Sequence, residues 1–491
     1  MLLLFCYYTQ MKKNEYDVII VGSGAAGMIA GIIAARNGKK VLLCEQQVKL
    51  GPKLKATGGG KCNLSNTLSN EDFMNSFGRN GRFMGDALSQ FDHKSLIKFL
   101  SEIGVDTHIP DGFRIFPVTH NSSTIIEALA NELLKQNIEI KCLTKIENLL
   151  CEDEKIIGVE SSIEKFFSSN VIIATGGLGF SMLGANGDGY DFAKSLGHKV
   201  TELYPAMLPL ITKEKWVANC KADTIAKAEL KIDLKKAKKL KAIGDLIFTV
   251  KGIRGPVVLD FSREITPFLE KYDEVPILMN LVKGLNEEEI FSHIKNYSEN
   301  IDANLEECLA SLLPNSVIKE LCNLVSADST KRFKDLDGQT REKLVKIIVS
   351  TPLTVIDHVG FEKAMITRGG VSLKEINPKT MQSKIIEGLY FCGEVVDLDG
   401  PCGGYNLQWS FSSGNLAGQL LSWPAIFYYN LIYSISFAFD LSIDVHELQL
   451  KSILTTDAIS ISSLNPAYVI AKADKEGLWP TIINESTVSK V

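Results

Sequence analysis

Apolar residues in this chain fall into two rhythms. Short unbroken runs, at Asp17–Val21, Lys40–Cys44, Val171–Ala174 and Gly388–Cys392, read as strands buried on both faces, as in a parallel sheet. Longer stretches repeat every three to four residues and read as helices: Ala25–Asn37, His93–Ile103, Ser123–Gln136 and Tyr405–Leu421, with Asn186–Leu196 a loop turning into a helix. In the second, Leu96, Ile97, Phe99, Leu100 and Ile103 share the apolar side; in the third, Ile126, Leu129, Ala130, Leu133 and Leu134 point inward. Strands alternating with helices predict an α/β fold. Ile138–Leu143, Lys145–Cys151, Ile156–Glu160 and Lys165–Phe167 read as strands of a separate small sheet, and Met365–Leu373 as strand-turn-strand.

The rhythm changes from about Ala206 to Ser350. As far as Phe261 it is one of short strands and turns. Helical spacing then returns at Leu305, Cys308, Leu309 and Leu312, at Val317, Leu321 and Leu324, and at Leu344, Ile347 and Ile348. Residues 206–350 therefore read as an inserted domain. It interrupts a nucleotide domain made of residues 14–205 and 351–421. Residues 1–13 read as an extension, with Met11 a start, because the lysines follow the apolar run that a secretory signal would place after them. In the C-terminal extension, 422–491, Ala425–Phe439 is apolar but shorter than the ~20 residues a bilayer span needs, and reads as a packed or partner-facing strand.

The chemistry begins at the first strand. Gly22-Ser-Gly24-Ala25-Ala26-Gly27 follows it directly, a helix follows the glycines, and Glu45 ends the next strand. That order makes a dinucleotide site: a tight turn at Gly22, close approach of a pyrophosphate at Gly24, tight helix–strand packing at Gly27, and an acid for a ribose at Glu45. The helix start adds free N–H groups and a positive dipole end. Taken alone, Glu45 suits NAD as well as FAD. Three later places also open the backbone: Gly58–Asn63, Thr175–Gly177 after a buried strand, and Gly393-Glu394 with the Gly400–Gly404 turn. The helix behind Gly403 and Gly404 aims its N-terminus at a ligand with partial negative charge, such as a reduced flavin.

Composition narrows this. Of 491 residues, 45% are hydrophobic and 23% charged, as in ordinary globular proteins, and the length implies several domains. A net charge of −5 gives no global pull toward nucleic acid or an anionic membrane. Lys235–Lys241 is a cationic run, but with no aromatic residue interleaved it reads as a solvated hairpin face. The ten cysteines show no CxxC pair, which points away from zinc and disulfides and toward a reducing compartment, with no metal site expected.

The segments DVIIVGSGAAG, GPKLKATGGGKCNLSN, VIIATGG, NGDGYDFAKSLGH, TRGGVSLKEINPKTMQSK and GLYFCGEVVDLDGPCGGYNLQWSFSSG together resemble the bacterial aminoacetone-oxidase-like, or BaiN-like, FAD-binding proteins, in the same order from Tyr16 to Leu421. The resemblance implies a two-dinucleotide-binding-domain flavoprotein with a Rossmann-type FAD domain and an inserted cap of a barrel-like sheet and a small helical bundle. It implies that Gly22, Gly24, Ala25, Ala26 and Gly27 hold the pyrophosphate of non-covalent FAD, and that Glu45, with Gln46 beside it, holds the ribose. Ile146 would sit at the adenine, with Ala174, Thr175 and Gly176 alongside. Gly60, Lys61, Cys62 and Asn63 would face the flavin, and Gly393, Glu394, Gly403, Gly404, Tyr405 and Asn406 would border the ribityl chain and ring. The loop Leu178–Asn186 lacks the proline expected there, and residues past Leu421 lie beyond the family's usual end.

The expected activity is hydride exchange at flavin N5 with a small molecule, linked to NAD(P)H as a transient donor and reducing an unsaturated or carbonyl compound. The cap and the Leu178–Asn186 loop would roof the substrate, and Tyr405 and Arg368 are candidate proton donors or clamps. An oxygen-using amine oxidase and a non-catalytic flavin sensor or scaffold are the alternatives. A cytoplasmic setting is expected, without a nucleic-acid partner or membrane contact through the tail.

Overall fold

The computed structural model describes residues 14–421, apart from Lys238 and Ile301, and two short strands, Ile459–Ser460 and Ile470–Ala471. The chain divides into two units, residues 1–422 and 423–491, and in the second those strands pair antiparallel, Ile459 opposite Ala471. Residues 1–13 and Ala425–Phe439 lie outside the described residues.

The first unit is built on β1 (Val18–Val21), β2 (Val41–Cys44), β3 (Glu139–Lys141) and β4 (Val171–Ile173). All run parallel, with Ile19 opposite both Leu42 and Val171, and Leu43 opposite Ile140. β1, β2 and β4 are buried along their whole length, which explains their unbroken apolar runs. Helix α1 (Ala25–Arg36) joins β1 to β2. β3 corrects the sequence reading: Ile138–Leu143 belongs to this parallel sheet, and only the three strands from Ile146 to Phe167 make the small antiparallel one. Its partner lies almost a hundred residues upstream, so no local pattern marks it. The helix Ser122–Lys135 is also turned from its expected face. It buries Ile125, Leu129 and Leu133, leaves Leu134 63% exposed, and carries the buried Glu132 onto Arg36 of α1 at 2.8 Å.

The inserted domain is a closed antiparallel barrel. Its strands are β5 (Leu210–Thr212), β6 (Thr224–Ile232), β7 (Lys241–Phe248), β8 (Gly252–Arg254), β9 (Val275–Asn280) and β10 (Thr351–His358), in the order β5-β8-β7-β6-β9-β10. β10 moves the expected boundary. The sequence pattern places residues 351–358 in the second nucleotide piece, yet β10 pairs with β5 and β9 and closes the barrel. Helix α2 (Pro256–Tyr272) starts before the strand-rich half was expected to end, and buries Val257, Val258, Phe261 and Ile265 in the barrel core. Helices Glu287–Asn300, Leu305–Leu309, Asn315–Leu324 and Gly338–Val349 pack on the same core.

The chain enters and leaves this cap through two antiparallel strands, Tyr204–Ala206 and Ile366–Arg368. The second is all that forms of the expected strand-turn-strand; Val371 makes only isolated bridges, to Val200 and Val396. β11 (Leu389–Phe391) then pairs with β4 and completes the sheet as β11-β4-β1-β2-β3. Helix α3 (Tyr405–Gly418) crosses α1 with almost no gap: a Cβ at Gly414 or Gly418 would lie 2.4 or 2.5 Å from the carbonyl oxygen of Ala26 or Ala30. Among the described residues no helix is long and apolar enough to cross a membrane.

Candidate functional site

The carboxyl ends of β1, β2, β4 and β11 open onto one cleft with about 1130 Å³ of empty space, partly open to solvent. At its centre Gly22 turns with φ +103°, where a Cβ would meet the Ala174 carbonyl oxygen at 2.6 Å. Gly27 lets α1 press onto that turn. By contrast, a Cβ at Gly24 would meet nothing within 4 Å, so the first turn of α1 faces open space.

Glu45 is buried and held from behind. Its Oε2 accepts from the Ser23 amide (2.9 Å) and hydroxyl (2.5 Å), and its Oε1 from the Gln47 amide (2.8 Å). The remaining lone pairs can take ribose hydroxyls. Beyond Glu45 lie Thr144, Lys145 and Ile146, with Lys145 3.5 Å from Asp188. Opposite α1 run Ala174, Thr175 and Gly176, and the buried Thr175 hydroxyl has no protein partner. The other end is lined by Gly393, Glu394, Asn406, Leu407, Ser410, Met365 and Ile366. There Glu394 takes Lys53 at 2.6 Å and the Thr367 amide at 2.9 Å, and Asn406 closes the loop to Gly400 through both its amide atoms.

Of the residues expected from sequence, Gly22, Gly24, Ala25, Ala26, Glu45, Gln46, Ile146, Ala174, Thr175, Gly176, Gly393, Glu394 and Asn406 line this cleft. Gly27 lies under the turn instead of in the lining. Gly60, Lys61, Cys62, Asn63, Gly403, Gly404, Tyr405 and Arg368 are not in the lining. Lys61 is exposed, and Gly60 has φ +88°. Cys62 is fully buried, and burial pushes its thiol up to about 11. Asn63 donates to the Ser65 carbonyl and accepts from the Gly404 amide, tying the two glycine loops together. Tyr405 turns its ring into a cluster with Phe73 (5.0 Å) and Phe77 (6.0 Å), its hydroxyl accepting from Ser76 at 3.4 Å. Arg368 is held by Glu264 of α2 at 3.0 Å. The Leu178–Asn186 loop also ends away from the expected roof: Gln46 donates to the Gly184 carbonyl at 2.6 Å, so its second half closes the Glu45 end.

Sequence reasoning missed Ser23, Lys53, Thr57, Lys145 and Asp188, all in the lining. Ser23 stood inside the motif and so was open to notice; the lysines find their partners only in the folded chain. It also missed the seam between cap and cleft. There Arg263 of α2 donates to the Asp399 carboxylate (2.6 Å) and carbonyl (2.7 Å), and the Cys402 amide donates to Asp260 (2.6 Å). Burial pushes the Asp260 carboxyl above its ordinary range, although the Cys402 amide pulls the other way.

The open first turn at Gly24, the orphaned Thr175 hydroxyl and the oriented Glu45 fit one ligand, FAD. The fold and site define an FAD-dependent oxidoreductase. The chain matches the HI0933-like protein Rossmann domain over residues 16–420 and belongs to that family. It is 30% identical over 403 residues to 3-dehydro-bile acid delta(4,6)-reductase of Clostridium scindens, covering 82% of this chain and 97% of that one. With ribosomal RNA dihydrouridine synthase of Escherichia coli it shares 28% over 412 residues, 83% and 98% of the two chains. Among solved structures, 3-ketosteroid delta1-dehydrogenase from Sterolibacterium denitrificans is 14% identical with a TM-score of 0.45, covering 83% and 99%.

Glu45→Ala is expected to weaken FAD by about 10–100-fold, since charge-assisted hydrogen bonds contribute roughly 1.5–3 kcal/mol and the Ser23 and Gln47 amides lose their acceptor. Titration of apoprotein by flavin fluorescence measures this; an affinity within twofold of wild type would remove Glu45 from the ribose contact.

Proposed function

We propose that the protein uses a reduced nicotinamide to saturate a carbon–carbon double bond conjugated with a carbonyl. The observation that carries this is the flavin end of the cleft. Its carboxylate, Glu394, is neutralised by Lys53, and Met365 and Ile366, where the chain leaves the cap, present apolar surface beside the start of α3. Such a wall favours a flat, uncharged acceptor over the ammonium group of an amine. By their names, both full-length relatives handle such bonds: the steroid delta(4,6) positions in one, the uracil ring of ribosomal RNA in the other. In a 3-oxo steroid and in uracil alike, the double bond is conjugated with a carbonyl that accepts the developing charge.

FAD, when bound, supplies the hydride carrier. The chain's own part is placement. Glu45 and the Gly22–Gly27 turn fix the dinucleotide, Asn406 holds the loop at the ring end, and the cap covers the face where substrate enters. No second glycine fingerprint follows another strand in the sequence, so the nicotinamide would visit the same face in alternation with the substrate.

The test is anaerobic and spectral. NADH or NADPH should bleach the oxidised flavin band of the FAD-loaded protein, and a 4-en-3-one steroid or a uridine-containing RNA should restore it. Bleaching by neither nucleotide would sink the proposal. Oxygen consumption with amines would then select the oxidase reading, and its absence the sensor reading.

A further inference from the structure

We infer that the hairpin joining β6 to β7 on the cap barrel is a docking site for the phosphate backbone of structured RNA. Net charge hides how unevenly the chain is charged. Residues 213–254 carry twelve lysines and arginines against five carboxylates, while the whole protein sums to −5. One wall of the barrel is therefore strongly positive and the rest of the molecule negative. A polyanion meeting this field is steered to that wall.

The hairpin presents its charges on a fixed frame. In Leu234-Lys-Lys-Ala237-Lys-Lys-Leu240 the apolar residues recur every third position. Ala237 is buried, and Leu234 and Leu240 pack on the barrel core. Two successive turns hold them, from the Ala237 amide to Leu234 (2.9 Å) and from the Leu240 amide to Ala237 (2.8 Å). With the apolar side turned in, Lys235, Lys236 and Lys239 are exposed. Below them Lys231 and Lys241 share Glu229, at 2.7 and 3.7 Å. Among the described residues, Lys235, Lys236 and Lys239 form no ion pair. Like charges crowded on an anchored loop repel one another, and a phosphate backbone relieves that repulsion.

The lack of aromatic residues argues against stacking on unpaired bases, but not against RNA. Base-paired RNA is recognised through its shape, phosphates and 2′-hydroxyls, without stacking. Ile243 and Val250, the exposed large apolar residues of this stretch among the described residues, are too little apolar surface to favour a bilayer. The site is also joined to the chemistry. β7 packs against α2, and α2 grips the flavin-end loop through Arg263 and Asp399, so RNA held on the barrel is held relative to the cleft. The inference rests on the reductase reading only for the RNA's role as substrate; docking is measured apart from turnover.

The experiment uses the full-length FAD-loaded protein and three probes: a fluorescent RNA hairpin with unpaired loop uridines, free uridine, and phosphatidylserine-containing vesicles. The expected result is hairpin binding that weakens steeply with salt. The Lys235→Glu/Lys236→Glu/Lys239→Glu variant should lose at least about tenfold in affinity and flatten the log–log salt slope by about two to three, as loss of roughly three phosphate contacts predicts. Its flavin spectrum and bleaching by nicotinamide should stay unchanged, and the matching Lys→Gln triple should move the same way by less. Binding by the triple variants equal to wild type overturns the inference, as does salt-independent binding or binding of vesicles but not RNA. Lysine-dependent docking without reduction of the loop uridines upholds the surface and removes uracil as substrate. Failure of nicotinamide to bleach the flavin counts against the reductase alone.

Discussion

Gly27→Val is expected to give protein that purifies without FAD and melts early. A Cβ at this position would lie 1.9 Å from the Gly22 carbonyl oxygen and 3.2 Å from the Ala174 side chain. The first neighbour is backbone in the tight turn itself, so no rotamer change relieves the clash. Overpacking a core costs about 1–3 kcal/mol even when side chains can yield, and here α1 must lift from β1. Lifting it also swings the first-turn amides away from the pyrophosphate. Gly24→Ala is the control, because its Cβ meets no protein atom within 4 Å. It should melt as wild-type apoprotein does yet bind FAD more weakly, since the methyl group enters the ligand's space. The ratio of flavin to protein absorbance and the apoprotein Tm check both. Wild-type flavin content in Gly27→Val would refute the packing argument.

The second large effect is expected at the seam. Arg263 and Asp399 are each 13% exposed, and their ion pair joins the cap helix to the loop leading into α3. Removing one partner of a buried pair costs roughly 3–5 kcal/mol, because the other charge stays desolvated. Asp399→Ala leaves the guanidinium with the backbone carbonyl as its hydrogen-bond partner and the more distant Asp260 carboxylate, so Tm should fall on the order of 10 °C while FAD remains bound. Arg263→Met combined with Asp399→Leu removes both charges and should recover part of the loss. A double variant no more stable than Asp399→Ala would show that the seam is held by other contacts.

What could be read from the sequence followed the range of the interactions. β1, α1, β2 and Glu45 lie within one continuous stretch, and turn chemistry and apolar period place each to within a residue or two. The end of β4 and the Gly393-Glu394 turn were visible for the same reason. Failures arose where a partner is distant. Ile138–Leu143 has the apolar content of either sheet, and only its pairing with β2 decides. Thr351–His358 looks like a return to the nucleotide domain until β5 and β9 close around it. Leu134 kept helical spacing, but Glu132 and Arg36 rotate the helix toward Leu133. Tyr405 and Cys62 sit in ligand-like glycine loops, yet local sequence does not say that one side chain joins Phe73 and the other is sealed inside. The pairs Lys53–Glu394 and Lys145–Asp188 bring together residues that no spacing rule connects.

The late arrival of β11 and α3 has a consequence during synthesis. Nearly the whole cap is translated between β4 and β11, an interval on the order of tens of seconds at typical elongation rates. Until β11 emerges, β4 is an unpaired apolar edge, and α1 lacks the helix that Gly414 and Gly418 bring against it. The nascent nucleotide half must therefore wait, sticky and without its cofactor, while the barrel can already close upon β10. The cleft for FAD is complete only with the last part of the fold, because Gly393, Glu394 and Asn406 belong to its lining.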